Sequence, residues 1–406
     1  MNDAFIMTQA PPLPRGCFSV PAVNSTTAEA HVVCPPANAT VARGELCLFW
    51  VGSGATPEHA ATDFYKLAAS LGFHVISLAY PNTPSVSEAC QGKPPSCFLS
   101  VRNERLYDPT TGGMLRFVTL LKLLIAKQQS SQGWAQYMAG AGSTLEDVAW
   151  EKVVAAGHSQ GSGMALLISK RFSLAGVVQL AGVDDVIPSS PYPSPVPSSP
   201  YPSARFAAPL SSLADVQPAP WLSAPGATPA SRLYGLGNGR GFCCNYWAAT
   251  WPVLNMSGWI DVDRGPLPTS GGGHKLCSHA DDGLSGHASV VSDILYAPSW
   301  AYMLTRAAGQ AIPHNGASGL LQNCTCTSRG GESAVPSGAA TASPLAAGLR
   351  PPNVGVLKAH IREYAALGRT HLTGSRDGDR TAAWVQAKLE QIGGLRVERQ
   401  EVTIIR

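Results

Sequence analysis

Between about residues 45 and 300, short apolar runs alternate with segments of helical periodicity, the rhythm of a mainly parallel sheet with helices on its faces. The first run, Leu46-Cys47-Leu48-Phe49-Trp50-Val51, is followed by a glycine-rich turn. A helix is predicted next: Thr56 can cap it, Pro57 suits its first position, and Gly72 can take the left-handed stop. His74 to Tyr80 then reads as a second strand broken by Pro81, which completes a βαβ unit. Met114 to Gln128 reads as a buried helix, Val153 to Ala156 as a third strand, Gly163 to Arg171 as a helix and Gly176 to Ala181 as a fourth strand. Further strands are expected at Ser231 to Leu236 and Lys275 to Ser278. The pattern predicts an α/β fold, a mainly parallel central sheet with helices on both faces.

Two stretches interrupt this rhythm. Residues 188 to 204 contain Ser-Ser-Pro-Tyr-Pro-Ser twice. Proline at that density joins neither a ladder nor a helix interior, so an exposed polyproline or disordered insertion is expected. Residues 327 to 352, rich in Ser, Ala, Gly and Pro, read as a linker. Beyond it, helical spacing at Leu357, Ile361 and Tyr364 and again at Trp384, Val385, Lys388, Leu389 and Ile392 precedes a strand expected over Arg396 to Ile405. The organisation so read is an N-terminal extension (1–44), a main domain (45–326), the linker, and a small C-terminal α+β fragment (353–406), too short for an independent enzyme domain.

Composition narrows the function. Apolar residues make up 45% of the 406 positions, enough for a sizeable core. A formal net charge of +3 with 14% charged residues gives no field that would attract nucleic acid or an anionic membrane. The longest apolar run, Phe117 to Ala126, is interrupted by Thr119 and Lys122 and is about half of a bilayer span. The first eight residues show neither a positive n-region nor a long apolar one, so no standard secretory signal is expected in them. The 10 cysteines nevertheless lack the paired spacing of a zinc site and read as disulfide formers. Glycosylation sequons begin at Asn24, Asn38, Asn255 and Asn323. Together these features point to a secreted or endomembrane-lumenal protein. The Cys90/Cys97 pair, Cys277 and Cys243-Cys244 are expected to pin long loops. Cys324 and Cys326 are too close for an unstrained mutual bridge. Trp247, Trp251, Trp259 and Trp300 are read as core.

The sharpest chemical feature is Gly157-His158-Ser159-Gln160-Gly161, a G-x-S-x-G between a β-branched run and a helix. A serine on such a turn projects its hydroxyl clear of the sheet, and the flanking glycines remove side chains that would clash. The Gln160 N–H, at the helix N-terminus, is aimed where an oxyanion would form, and Gly54, in the Gly52-Ser53-Gly54-Ala55 loop, is expected to supply the second donor. No cofactor is implied, because neither a G-x-G-x-x-G nor a phosphate-binding loop is present near that turn. A serine needs a base, and the candidates are His274, His279 and His287; His287 suits best because it opens a predicted helix after a flexible loop. The acid is harder to place. The turn Gly237-Asn238-Gly239-Arg240-Gly241 holds no carboxylate, which leaves Asp184 first, then Asp185, Asp261 or Asp263, or none; the last two lie far from any predicted strand end.

Through Gly157-His158-Ser159-Gln160-Gly161, the Gly52–Ala55 loop and the late histidine, residues 45 to 300 resemble the α/β-hydrolase superfamily of serine esterases and lipases. The resemblance implies a Ser-His-Asp triad, with an acid after the fourth strand as in lipase-like members, and hydrolysis of a carboxylic ester, a small-molecule, glycan or lipid ester being the partner. The Gly241 turn departs from the usual acid position, which keeps a catalytically silent binding or adhesion protein as the other reading. His371 to Ser375, Thr381 to Val385 and Gly394 to Val397 resemble the opening of zinc-dependent M28 peptidases of the glutamate carboxypeptidase type. No metal-ligand cluster follows in the sequence, so neither a metal nor peptidase activity is expected.

Overall fold

The structure is a computed structural model. It describes residues 13–326 apart from 23–28, 39–41, 128–131, 140–141, 143, 189–215, 242–243, 265–266, 269–272, 281–285, 310–319, 322–323 and 325. The chain divides into two compact units, Met1–Glu332 and Ser333–Arg406, and every described residue lies in the first. Nearly all of the proline-rich stretch, the linker, the peptidase-like segment, Cys243 and the asparagines at 24 and 323 lie outside the described residues.

The strands are β1 (Phe18–Pro21), β2 (Ala30–Cys34), β3 (Leu46–Trp50), β4 (His74–Leu78), β5 (Val153–His158), β6 (Gly176–Leu180), β7 (Val186–Pro188), β8 (Val216–Pro218), β9 (Leu233–Asn238), β10 (Trp259–Asp261), β11 (Lys275–Ser278) and β12 (Leu320–Leu321). The helices are α1 (Pro57–Ala60), α2 (Thr62–Ser70), α3 (Val86–Ala89), α4 (Ser96–Tyr107), α5 (Gly113–Ala126), α6 (Gln160–Arg171), α7 (Cys244–Val253), α8 (Gly286–Ser292) and α9 (Ala297–Ala307). Ten strands form one sheet in the order β1-β2-β4-β3-β5-β6-β9-β11-β10-β12; β7 and β8 make a separate antiparallel pair. From β4 to β10 every pairing is parallel, while β1, β2 and β12 run antiparallel to their neighbours. This is the mainly parallel α/β fold expected from the sequence.

The continuous apolar runs explain the architecture. Every residue of β3, β4 and β6 is buried, so both faces of the sheet are covered. β1 and β2, which the hydrophobic pattern did not single out, extend the sheet beyond β4; the edge strand β1 alternates half-buried with exposed residues and is tied to β2 by the Cys17–Cys34 disulfide. On β9, Gly235 and Gly237 leave room for indoles. A Cβ at either would lie 2.5 Å from Trp251 or Trp247 of α7. Those two rings lie 4.7 Å apart and pack tilted against Trp259 at centroid distances of 5.7 and 6.1 Å, and with Trp300 they are buried, as the sequence indicated. Cys324 and Cys326 do pair separately, with Cys277 of β11 and Cys244 of α7, and Cys90 pairs with Cys97.

Several boundaries differ from the expectations. The predicted helix after β3 is two helices, and Thr56 does not cap α1, because its hydroxyl is engaged 2.7 Å from His59 Nδ1. Gly72 does take the left-handed conformation, at φ +93°. β5 continues through Gly157 and His158, paired with Gln179 and Leu180, and α6 starts at Gln160 rather than Gly163, since the chain turns within one residue. β9 begins at Leu233 after a 3-10 turn and runs through Asn238.

Burial of ionisable groups makes stability depend on pH. His31 is pushed down from 6.5 to about 4 by burial and by the nearby Arg116, and His158 is pushed down to about 4 by burial, against the pull of its hydrogen bond to the His287 carbonyl. Both depressed histidines bind a proton in the unfolded chain before they do so in the folded one. Asp184, raised from 3.8 to about 7 by burial and the adjacent Asp185, works in the opposite sense. Burial lowers His74, His274 and His287 in the same sense as these two, so the histidines outnumber Asp184 and the unfolded chain binds more protons between about pH 4 and 6.5; stability therefore falls on acidification by about 1.4 kcal/mol per pH unit for each excess proton. Thermal unfolding followed from pH 7 to 4.5 is expected to show a falling midpoint, and His31→Gln to flatten the slope; a midpoint that holds or rises in acid would overturn the assignment.

Candidate active site

Ser159 occupies the single-residue turn between β5 and α6, at φ 54° and ψ −124°. A non-glycine residue is strained there, and the turn exists only because the surrounding backbone can close in. A Cβ on Gly157 would lie 2.2 Å from the Gly161 carbonyl oxygen, one on Gly161 2.1 Å from the Trp50 carbonyl oxygen, and one on Gly182 2.4 Å from the Ser159 carbonyl oxygen. The Ser159 N–H donates to Leu180 O at 2.8 Å, and the Ser162 hydroxyl lies between Gly157 O and the Leu180 N–H, tying the turn to β6. The Gln160 N–H is the first of α6 and has no acceptor one turn back within the helix. Of the loop after β3, Gly52 comes nearest: a Cβ there would be 3.4 Å from Ser159 Cβ, whereas one on Gly54, at φ +68°, would meet only Thr83 Oγ1 at 3.9 Å.

The four candidate carboxylates separate clearly. The Ser159 hydroxyl donates to Asp184 Oδ2 at 3.4 Å. Asp184 thus contacts the nucleophile itself. Asp184 Oδ1 is buried and has no hydrogen-bond partner among the described residues. Burial first, and then the charge of Asp185, lift the Asp184 carboxyl to about 7, although Arg102 and the Ser159 hydrogen bond pull it down. Its neighbour Asp185 is spent on packing: it accepts from Arg102 Nε at 2.7 Å, Arg102 Nη2 at 2.5 Å and Trp221 Nε1 at 2.9 Å. Asp261 and Asp263, placed far from a strand end by the sequence reading, are at one: Asp261 closes β10 and pairs with Arg264 at 3.0 Å. Asp263 accepts from the Ser278 hydroxyl at 2.8 Å and from the His279 N–H at 2.5 Å. The position at the end of β9 is held by the buried Asn238, which donates to Ala280 O at 3.1 Å and to the Tyr296 hydroxyl at 3.0 Å.

Of the three histidines, the structure brings His287 to the nucleophile turn. His287 lies in the first turn of α8, its carbonyl oxygen 2.8 Å from Nε2 of His158, the residue that precedes Ser159, with the two rings 4.8 Å apart. Burial and the neighbouring His158 hold the His287 imidazole well below its ordinary value, so it is neutral and able to accept a proton. His274 precedes β11, at the opposite end of the parallel strands from Ser159, with Nδ1 3.2 Å from Ala230 O. The His279 ring lies 3.9 Å from Cys277 Sγ, beside the Cys277–Cys324 disulfide. Cys277, His279 and Cys324 bring donor atoms within 4.8 Å of one another, but in the disulfide neither sulfur is a thiolate that could ligate a metal.

Sequence reasoning missed the side chains that brace this turn. Gln160 Oε1 accepts from the Val86 N–H at 2.7 Å, Arg105 Nη1 at 2.9 Å and the Ser53 hydroxyl at 3.2 Å, while Nε2 donates to Asn82 O at 3.2 Å and to the Tyr80 hydroxyl at 3.3 Å. Arg102 Nη1 donates to Gln160 O at 2.8 Å, and its guanidinium fills the space a side chain on Gly163 would need. From the other side, the Trp251 indole donates to Gly182 O at 2.8 Å and the Thr250 hydroxyl to Val183 O at 3.0 Å, which fixes the backbone leading into Asp184. Two arginines spaced three apart on α4 were the only local signal.

No protein-family model matches the chain, and no curated protein matches it. Among solved structures, a bacterial heroin esterase is similar at 14% identity and a TM-score of 0.36, over 73% of this chain and 84% of that one. The thermophilic carboxylesterase EstE1, from a metagenomic library, is similar at 13% identity and a TM-score of 0.32, over 74% and 90%. A hormone-sensitive lipase from a metagenome library shows 15% identity and a TM-score of 0.23 over 42% of this chain, which spans 45% of that protein's length. A mainly parallel sheet with a serine on the tight turn between an inner strand and the following helix is the α/β-hydrolase fold.

Proposed function

We propose that this chain is a serine hydrolase that cleaves a carboxylic ester through an acyl-enzyme intermediate. The observation that carries the reading is Ser159, held at positive φ on the β5–α6 turn with its hydroxyl directed at a buried carboxyl group. In this reading Ser159 Oγ attacks the ester carbonyl, His287 takes the hydroxyl proton, and the N–H groups of Gln160 and of the Gly54 loop hold the oxyanion. The carbonyl–alkoxy bond then breaks and the alcohol leaves with the proton from His287. Water, deprotonated by the same imidazole, releases the acid and restores Ser159. Asp184 is the acid of the group, stabilising positive charge that develops beside the serine. The substrate is a small-molecule, glycan or lipid ester, and the four disulfides among the described residues support a secreted or lumenal setting. The catalytic unit is the 45–326 region, and peptidase activity is no part of the proposal.

A fluorophosphonate reporter is expected to label the wild-type chain and to leave Ser159→Ala unlabelled. Folded wild-type protein that does not react would sink the enzyme and favour a silent binding protein, which the Asn238 side chain at the end of β9 would suit.

The two neighbouring aspartates give contrasting outcomes. Asp184→Asn is expected to lower kcat about 10²- to 10⁴-fold, the range seen when a catalytic acid or base is lost. Wild-type activity should rise with pH as the Asp184 carboxyl ionises near 7, and that limb should vanish in the variant. Asp185→Asn leaves the buried Arg102 partly unpaired and is expected to cost about 3–5 kcal/mol of stability, read as a lowered melting temperature, and, because the Asp185 charge no longer lifts the Asp184 carboxyl, to keep the pH limb but move it to lower pH.

A further inference from the structure

We propose that His158 is a positioning residue that holds the main chain of His287 in register with Ser159, through a hydrogen bond from its Nε2–H to the His287 carbonyl oxygen. The inference rests on the reading of Ser159 and His287 as nucleophile and base. It assigns a function to the residue within the G-x-S-x-G that the mechanism leaves idle.

The geometry supports it from both ends. Nε2 of His158 stands 2.8 Å from His287 O. A carbonyl oxygen only accepts, so the proton must sit on Nε2, and a neutral imidazole then has a bare Nδ1. That nitrogen faces the Gly52 position, where a Cβ would stand 3.2 Å away, so the glycine of the loop after β3 makes room for the ring. Burial keeps the His158 ring neutral at pH 7, as a single-donor bond requires. On its other side the His287 backbone is boxed in by β9 and its turn. A Cβ on Gly241 would lie 3.2 Å from the His287 N, and one on Gly286 would lie 2.8 Å from Asn238 Cγ. Residues 278 and 286 bound a long connection between β11 and α8, so β11 alone does not place His287. A bond from the strand that carries the nucleophile does: the residue next to Ser159 fixes the residue that must reach it. A misplacement of about 1 Å between reacting groups can cost about 10²-fold in rate, which sets the scale of the effect.

The test combines two measurements. In wild-type protein with ¹⁵N-labelled histidine, His158 should be neutral at pH 7 with its proton on Nε2 and slow to exchange; a proton on Nδ1, or an imidazolium, overturns the proposal whatever the variants do. For turnover of a p-nitrophenyl ester, His158→Leu should lower kcat about tenfold to a hundredfold with KM within about twofold, and His158→Gln, which keeps an N–H donor at similar reach, should recover most of it. Wild-type turnover in His158→Leu, or equal loss in both variants, overturns the role. Should His158→Leu fail to fold, the tautomer and the His158→Gln rate decide. Failure of the hydrolase reading is distinct: wild-type protein then resists the fluorophosphonate, while the His158 tautomer is still read without turnover.

Discussion

Everything at this site depends on how closely backbone can approach backbone around the β5–α6 turn. Ser159 sits at a positive φ that costs about 1–3 kcal/mol for a residue with a side chain, and it stays there because the turn is over-determined. Gly157, Gly161 and Gly182 each occupy a point where a Cβ would fall 2.1 to 2.4 Å from another backbone atom. The close approach lets α6 start at once, presents the Gln160 N–H at its mouth and leaves the serine hydroxyl as the part of the turn that projects. A larger residue at any of these glycines would push α6 off the sheet and flatten the bend.

Asp184 and Asp185 show how two adjacent identical residues are given opposite properties. Asp185 receives both forks of Arg102 and the Trp221 indole, so its carboxylate is paired in place. Arg102 has only its remaining nitrogen to give, and that goes to the Gln160 carbonyl. Asp184 therefore faces burial and its neighbour's negative charge with one hydroxyl as a hydrogen-bond donor, and its carboxyl is held on the edge of ionisation near neutral pH. The same pair of interactions stiffens the framework and tunes the group beside the serine.

Much of this was visible in the linear chain, and the limits are physical. The strands that form the sheet's buried middle announced themselves as continuous apolar runs, and the glycines around Ser159 announced a turn where side chains are excluded. β1 and β2 did not stand out, because a four-residue edge strand and a five-residue neighbour interrupted by His31 carry a weak pattern, and a disulfide does part of their anchoring. The start of α6 and the end of β5 were misplaced because the glycines and the serine of Gly157-His158-Ser159-Gln160-Gly161 disfavour both helix and strand, and the packing of the turn decides where one element stops and the next begins. Asp261 was misjudged because a three-residue strand leaves too few positions for periodicity to register.

The amino-acid order alone determined the α/β alternation, the nucleophile candidate, the absence of a carboxylate at the Asn238 turn and the supply of cysteines, since each is a property of a short contiguous stretch. Which histidine contacts the residue before Ser159, which of two neighbouring aspartates touches the Ser159 hydroxyl, and which cysteines pair with Cys244 and Cys277 were decided only in three dimensions. Those partners lie 25 to 129 residues apart along the chain, and no local pattern encodes a distance across the ends of parallel strands.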